Sequence, residues 1–336
     1  MSLRLLLRRG ALLAAANWPV VVAQFVAATA VKILLTIPVI GGVFLVVVLV
    51  GRNAMPLLGA GIREGLSEVA TVLMARPFAL AAFLMAFLIA LAGGSIFMFL
   101  IKGGTVTVLV AGDRGAGVIE KGPWRLEGLR RASAFSPELF IRGCSHLFSR
   151  YLTLGLGLMV AYAISGALYL ALVVGSYQSA SGGALLLGWT MMAAVWSSAF
   201  VVWITIVNLI YLLAQVAIAV EDVGVRTAMK RVARFLRADV RDVAGVFGVV
   251  LLMVVLTTIV SLLATAGLGL VGFVPIVGLA VFPLQAVAWV VRGVVFEYVG
   301  LTALGAYLRL YRTFSDTTQV GPHAVWPESS ESVRSA

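Results

Sequence analysis

The stretch AGVFGVVLLMVVLTTIVSLLATA at residues 244–266 contains no charged side chain. As a helix with a rise of about 1.5 Å per residue, it is long enough to cross the roughly 30 Å hydrocarbon core of a bilayer. The chain is 62% hydrophobic and 12% charged, whereas soluble domains are roughly 25% charged. Five further apolar runs occupy residues 18–50, 77–111, 151–175, 184–220 and 279–308. The sequence therefore predicts an all-α, polytopic membrane helix bundle with about six transmembrane helices plus cytoplasmic amphipathic surface helices.

The two ends of the chain differ in character. Arg4, Arg8 and Arg9 followed by apolar residues are similar to a secretory signal, but the apolar run continues to Val50, which predicts an uncleaved first span. A single transmembrane domain is predicted over residues 1–312, followed by a disordered cytoplasmic tail at residues 313–336 that is rich in Ser, Thr, Pro and Glu.

The segments between the apolar runs predict the orientation. Residues 112–150 carry seven Lys or Arg and residues 221–243 carry six, whereas residues 176–183 and 267–278 carry none. By the positive-inside rule, both basic segments and both termini are expected in the cytoplasm. Residues 51–76, with three Arg, fall on the outer side in this topology. A hairpin in the first run would instead place thirteen basic residues outside, which is the larger violation.

The second basic segment has the pattern of an amphipathic helix that lies on a membrane surface. Its apolar stripe consists of Val225, Met229, Val232 and Leu236. Its cationic stripe consists of Arg226, Lys230, Arg234 and Arg237. Glu221 and Asp222 precede it and are expected to cap its N-terminus, and Ser136-Pro137-Glu138 is typical of a helix start.

A short pattern recurs in front of three predicted spans. Residues 129–135 (LRRASAF) and 229–235 (MKRVARF) match in type, and residues 7–13 (LRRGALL) form a fainter third copy. The pattern is short enough to arise by chance in a chain rich in Arg and Ala. A true repeat would predict units of a span, a basic surface helix and a span, with the sixth span pairing with the N-terminal helix and the first span.

Two motifs carry a resemblance to known families. The stretch VEDVGVRTAMKR at residues 220–231 and the stretch GAYLRLYR at residues 305–312 resemble bacterial six-helix membrane families. These include YciC-like proteins and the membrane domain attached to some glycerophosphodiester phosphodiesterases. The resemblance implies the fold and a bacterial cytoplasmic (inner) membrane location. It implies no activity, because this chain lacks the soluble phosphodiesterase domain.

No residue pattern indicates catalysis. His146 and His323 lie outside the spans and no pair of Asp lies within them, so neither a Ser–His arrangement nor an aspartyl dyad is expected. The single Cys144 forms no thiolate cluster. We therefore expect no enzyme activity, no catalytic residue, no metal and no cofactor.

Polar residues within the apolar runs are the candidates for a functional interior. A charge at the centre of a transmembrane helix costs roughly 2.5–3.5 kcal/mol, so it should face protein, water or a partner. The candidates are Lys32, Asn208, Gln215, Arg292 and Glu297. Lys32 is expected to pair with Glu297, whereas a higher placement of the sixth span would leave Arg292 reaching the boundary.

Other polar and aromatic residues have structural interpretations. Lys102-Gly103-Gly104 is expected to mark a bend or end of the second span. Trp189, Trp196 and Trp203 repeat every seven residues and are expected to face lipid or to form a packing seam.

Two functions remain open. The first is a non-enzymatic inner-membrane protein that handles, senses or moves lipids or small amphiphiles. The second is a structural or regulatory scaffold that binds partner proteins through its basic cytoplasmic helices. Anionic lipid headgroups are the expected partners, and nucleic acid is not, because the net charge of +11 is spread over segments between spans. The expected contacts are Arg130, Arg131, Arg226, Lys230, Arg234 and Arg237.

Overall fold

The computed structural model describes residues 2–50, 71, 74–120, 126–178, 183–272 and 275–319. Within these ranges the chain forms nine helices and no strand. The helices are α1 (Leu3–Ala16), α2 (Trp18–Val50), α3 (Pro77–Gly115), α4 (Leu126–Ala132), α5 (Pro137–Gln178), α6 (Gly183–Glu221), α7 (Val225–Ala238), α8 (Val240–Gly272) and α9 (Pro275–Gln319).

Six of these helices are long and apolar enough to cross a membrane. They are α2, α3, α5, α6, α8 and α9, and they coincide with the six apolar runs, so the predicted membrane helix bundle is confirmed. α9 continues to Gln319, so the predicted disordered tail is wrong for residues 313–319, where Ser315 is buried. The rest of the tail, like most of the discordant segment 51–76, lies outside the described residues.

The long helices are arranged as three antiparallel hairpins. Each pair of consecutive spans packs together, namely α2 with α3, α5 with α6, and α8 with α9. Hydrogen bonds between side chains or to the backbone join two of these pairs. Trp189 of α6 donates to Ser176 of α5 at 3.1 Å, and Gln285 of α9 donates to Leu268 O of α8 at 3.5 Å. The short basic helices α1, α4 and α7 each precede one hairpin. We call the side of the molecule where they lie the basic end.

The hairpins pack in the order α6, α5, α3, α2, α9, α8. α9 packs against both α1 and α2, which is the pairing expected for the sixth span. Among the described residues, α6 and α8 make no comparable contact with each other. The predicted unit of span, surface helix and span is therefore formed by α3, α4 and α5 but not by α6, α7 and α8. α9 contacts both α6 and α8.

The core lies at the basic end. Its fully buried residues come from α1, the last turns of α3, α6 and α9, and the first turns of α5 and α8. They include Leu13, Leu109, Tyr151, Leu213 and Tyr307. In contrast, large apolar side chains farther along the spans, such as Ile37, Leu88 and Val260, are exposed. The spans thus converge on a packed base, and their apolar surfaces beyond it suit contact with lipid.

The apolar face of α7 packs on the protein itself, which corrects the prediction that it lies on a membrane surface. Its buried residues are Ala228, Val232 and Phe235, whereas Met229 is exposed. The Phe235 ring lies 5.4 Å from the ring of Tyr311 and 5.2 Å from that of Phe314, both in α9. The cationic stripe of α7 is exposed as predicted.

Two N-terminal helix caps were predicted, of which the one at α5 is confirmed and the one at α7 is wrong. The Ser136 hydroxyl accepts a hydrogen bond from the Leu139 amide at 3.1 Å, at the start of α5. α7 begins after Gly224 without a side-chain cap. Glu221 and Asp222 instead bind side chains of other helices, because the chain leaves α6 through a left-handed residue at Asp222, with φ of 52°.

Candidate functional site

A buried arginine joins the N-terminal helix to the third and ninth helices. The Arg9 guanidinium is 1% exposed and contacts Asp113 Oδ1 at 2.7 Å and Glu120 Oε2 at 2.6 Å. It also donates to the carbonyl oxygens of Gly117 at 2.7 Å and Asp113 at 3.1 Å. Arg312 of α9 contacts the other oxygen of Asp113 at 2.5 Å. This network, which we call the Arg9 clamp, closes the basic end.

A second carboxylate is bound in a similar way on the other side of α9. Glu221, at the end of α6, pairs with Arg231 of α7. It also accepts hydrogen bonds from the hydroxyls of Tyr311 at 2.9 Å and Ser315 at 3.1 Å. The ends of two spans, α3 and α6, are thus each held by an arginine of a basic helix and by the last turns of α9.

Three charged residues come together farther into the spans. Glu297 of α9 interacts electrostatically with Lys102 of α3 and with Lys32 of α2. Among the described residues, no carboxylate lies within ion-pair distance of either ammonium group. The Lys102 Nζ lies 5.0 Å from the centroid of the Tyr211 ring of α6. We call Lys32, Lys102 and Glu297 the charge cluster.

The neighbouring contacts fix the position of Lys102. α3 and α5 approach closely beside it: a methyl group on Gly104 would lie 2.7 Å from both the Cys144 sulfur and the Phe140 carbonyl oxygen. On the other side, Gln24 of α2 donates to the Thr105 hydroxyl of α3 at 3.0 Å. α3 is continuous through Lys102-Gly103-Gly104, so the second span does not end there. The glycines instead permit close helix packing.

The remaining candidates of the predicted interior lie elsewhere. Asn208 accepts a hydrogen bond from the Tyr162 hydroxyl at 2.5 Å, in the seam between α5 and α6. The same seam contains Trp203, whose ring nitrogen donates to Ser165 at 2.9 Å. Trp196 and Trp203 are also exposed, so the tryptophan stripe borders the seam and faces outward as well. Gln215 is 2% exposed in the packed base, and its backbone carbonyl oxygen accepts a hydrogen bond from the Tyr151 hydroxyl at 2.9 Å.

Arg292 lies apart from the charge cluster, in a groove between α8 and α9. The groove has a volume of about 500 Å³. Five residues separate Arg292 from Glu297, which places them about 140° apart around the helix. The Arg292 guanidinium lies 5.7 Å from the centroid of the Phe296 ring. Among the described residues, no carboxylate forms an ion pair with it.

The polar residues therefore occupy four separate places rather than one interior. Glu297 interacts electrostatically with Lys32, without the ion pair expected from the sequence, and with Lys102, which the sequence indicated as part of a bend or helix end. The cluster carries two cations and one carboxylate. Its net positive charge within the spans favours an anionic group, and the cost of holding it there is lowered by water or by a bound anion.

The predicted lipid-contact residues are exposed at the basic end. Arg130 and Arg131 lie on α4, where Arg131 pairs with Glu127 one turn earlier. Arg226, Lys230, Arg234 and Arg237 line the outer face of α7. These six side chains form a cationic surface at the same end as the Arg9 clamp.

No family model, curated protein or solved structure matches the chain. The resemblance to six-helix bacterial families therefore stays a prediction.

Proposed function

We propose that this integral membrane protein, without catalytic chemistry of its own, handles an anionic amphiphile whose headgroup binds at the charge cluster. The supporting observation is the cluster itself: Lys102 and Lys32 lie near a single carboxylate, without a close ion pair among the described residues. Lys102 is about 16 Å along α3 from Asp113 of the Arg9 clamp. A single-chain carboxylate such as a fatty acid has the charge that the cluster favours and a tail that suits the bilayer.

The packing supports entry from the bilayer rather than from the basic end. Between the charge cluster and the basic end lie the Arg9 clamp and the fully buried side chains of Leu213, Ile218 and Tyr307. In contrast, Lys32 is exposed and Lys102 and Glu297 are half-buried. An amphiphile would reach the cluster laterally, with its tail still in lipid.

The orientation and location belong to the same proposal. We place the basic end in the cytoplasm and the protein in a bacterial inner membrane, with both termini cytoplasmic. The exposed cations of α4 and α7 support this orientation, because moving them across the bilayer is unfavourable.

The first test is to remove the charges of the cluster. We expect Lys102→Met and Glu297→Gln to have different effects on the affinity for a spin-labelled fatty acid. Lys102→Met should weaken binding at least tenfold, because it removes a cation of the proposed headgroup site, and each tenfold corresponds to about 1.4 kcal/mol. Glu297→Gln should preserve or strengthen binding, because it removes the competing carboxylate. The measurement is an electron paramagnetic resonance titration of purified protein.

Arg142→Met provides the matched control, since it removes an exposed cation of α5 outside the cluster. Its affinity should equal that of the wild type. Equal affinities for the wild type and Lys102→Met, with both folded, would reject the charge cluster as the headgroup site.

The scaffold function is favoured by a different observation. The apolar face of α7 is covered by α9, but its four cations face outward. A surface of this kind suits either anionic headgroups or an acidic protein, so α7 remains the docking surface in the alternative proposal.

The α7 surface gives a prediction of its own. Changing Arg226, Lys230, Arg234 and Arg237 together to Gln should lower the enrichment of phosphatidylglycerol around the protein in mixed-lipid nanodiscs. Each cation near an anionic surface contributes about 1 kcal/mol. Lipid composition measured after extraction gives the result. An unchanged enrichment would exclude α7 as a lipid contact and leave the protein-docking alternative.

A further inference from the structure

The groove between α8 and α9 differs from the charge cluster in both position and chemistry. One wall is a face of α8 with hydroxyls at four-residue intervals, at Thr257, Ser261 and Thr265. The other wall is a face of α9 that includes Trp289 and Arg292. Apolar side chains complete both walls. They are Val260, Ala264, Leu268, Val291 and Val295.

The hydrogen-bonding groups of the groove include two donors that are not used within the described part of the protein. The Thr257 and Thr265 hydroxyls donate to carbonyl oxygens of their own helix, Met253 O and Ser261 O, each at 2.8 Å. No such bond from the Ser261 hydroxyl occurs among the described residues, and Arg292 has only the Phe296 ring beside it there. Ser261 and Arg292 are therefore available to an anionic oxygen.

The depth of Arg292 indicates which kind of anion reaches it. It lies eight residues, or about 12 Å, from Gly300, where α9 enters the packed base. Arg292 thus lies within the span on the side of the packed base, and a long arginine side chain can extend from there toward the interface. An arginine exposed to lipid at this depth needs an anionic partner.

We propose that the groove between α8 and α9 binds one anionic phospholipid, with its phosphate on Arg292 and Ser261 and an acyl chain along the apolar walls. The occupant is inferred from charge complementarity: the groove offers a guanidinium and a hydroxyl as donors and no carboxylate. Guanidinium and phosphate form bidentate pairs, which a lysine ammonium does not reproduce. Trp289 packs against Phe25 of α2, with ring centroids 6.3 Å apart, so a lipid here would also contact the wall that joins two hairpins.

The test uses the purified full chain and phosphatidylglycerol, with native mass spectrometry to count bound lipids. We expect the wild type to retain one phosphatidylglycerol in preference to phosphatidylcholine. Arg292→Gln should lower this affinity about tenfold or more, Arg292→Lys should lower it less, and Ser261→Ala should lower it by a factor of a few. Arg142→Met, which removes an exposed cation outside both sites, should bind phosphatidylglycerol like the wild type. The fatty-acid titration is a separate measurement, so failure here and failure of the fatty-acid site are distinguishable.

Three outcomes would overturn the proposal. The first is wild-type affinity for phosphatidylglycerol in Arg292→Gln. The second is equal retention of phosphatidylcholine by the wild type, because the headgroup charge would then be irrelevant. The third is displacement of the lipid by inorganic phosphate, which would assign the site to a free anion. Should Arg292→Gln fail to fold, Ser261→Ala with unchanged affinity would overturn it instead.

Discussion

Replacing Arg9 by alanine is expected to lower the free energy of unfolding by about 3–5 kcal/mol, the range observed when one partner of a buried ion pair is removed. The guanidinium is 1% exposed and contacts two carboxylates. Without it, Asp113 retains Arg312 but Glu120 is left buried, with no ion-pair partner among the described residues. Thermal or chemical denaturation of the detergent-purified protein measures the effect.

Two further variants separate the charge of Arg9 from its geometry. Arg9→Lys keeps a cation but loses the planar fork that bonds Asp113, Glu120 and Gly117 together, so it should recover only part of the stability. Arg4→Ala removes an exposed arginine of the same helix and should change stability by less than about 0.5 kcal/mol. Equal stabilities for Arg9→Ala and Arg4→Ala would show that the clamp does not hold the basic end.

Replacing Gly10 by alanine is expected to lower the free energy of unfolding by about 1–3 kcal/mol, although alanine is the better helix former. α1 and α9 approach closely at this residue. A methyl group here would overlap the Thr302 carbonyl oxygen and lie 2.9 Å from the Ala306 amide nitrogen. Both are backbone atoms of α9, so the overlap is relieved only by separating the helices.

Gly300→Ala is the matched control for this prediction. Gly300 also lies in α9, but a methyl group there meets no atom within 4 Å. The exchange should therefore be neutral or stabilise the protein by up to about 1 kcal/mol, through helix propensity alone. Opposite signs for the two exchanges are the expected result, and a stabilising Gly10→Ala would contradict the close approach of α1 and α9.

The spans were predictable because their determinant is local. Length and apolarity within one run are sufficient to identify a membrane helix, and all six runs became helices. The capping role of Ser136 was predictable for the same reason, since its partner is three residues away.

The Arg9 clamp was not predictable because its partners are distant in the sequence. Arg9 forms hydrogen bonds with residues 104 and 111 positions away. In the sequence it is not distinguishable from its neighbour Arg8, since both are expected to anchor the N-terminus in the cytoplasm. The amphipathic pattern of α7 showed that one face would be covered. It did not show whether lipid or α9 covers that face, because both are apolar.

Lys102 could have been found by the criterion that selected Lys32, namely a charge inside an apolar run. The adjacent Gly103 and Gly104 favoured the interpretation as a bend. Glycine in a helix predicts either a bend or close packing, and only the position of α5 decides between them. The separation of Arg292 from Glu297, in contrast, follows from helical spacing alone and was available from the sequence.

The most direct test of the account is whether the charge cluster faces a polar interior. In a Cys144→Ala background, Lys102→Cys and Glu297→Cys are predicted to react with a membrane-impermeant sulfonated methanethiosulfonate, because the reactive thiolate forms only where water or cations reach it. Oleate should slow the reaction of Glu297→Cys, which retains both lysines, while Val255→Cys, on the exposed apolar surface of α8, should stay unmodified. If positions 102 and 297 were as unreactive as position 255, the spans would enclose no hydrated headgroup site and the proposed function would be wrong.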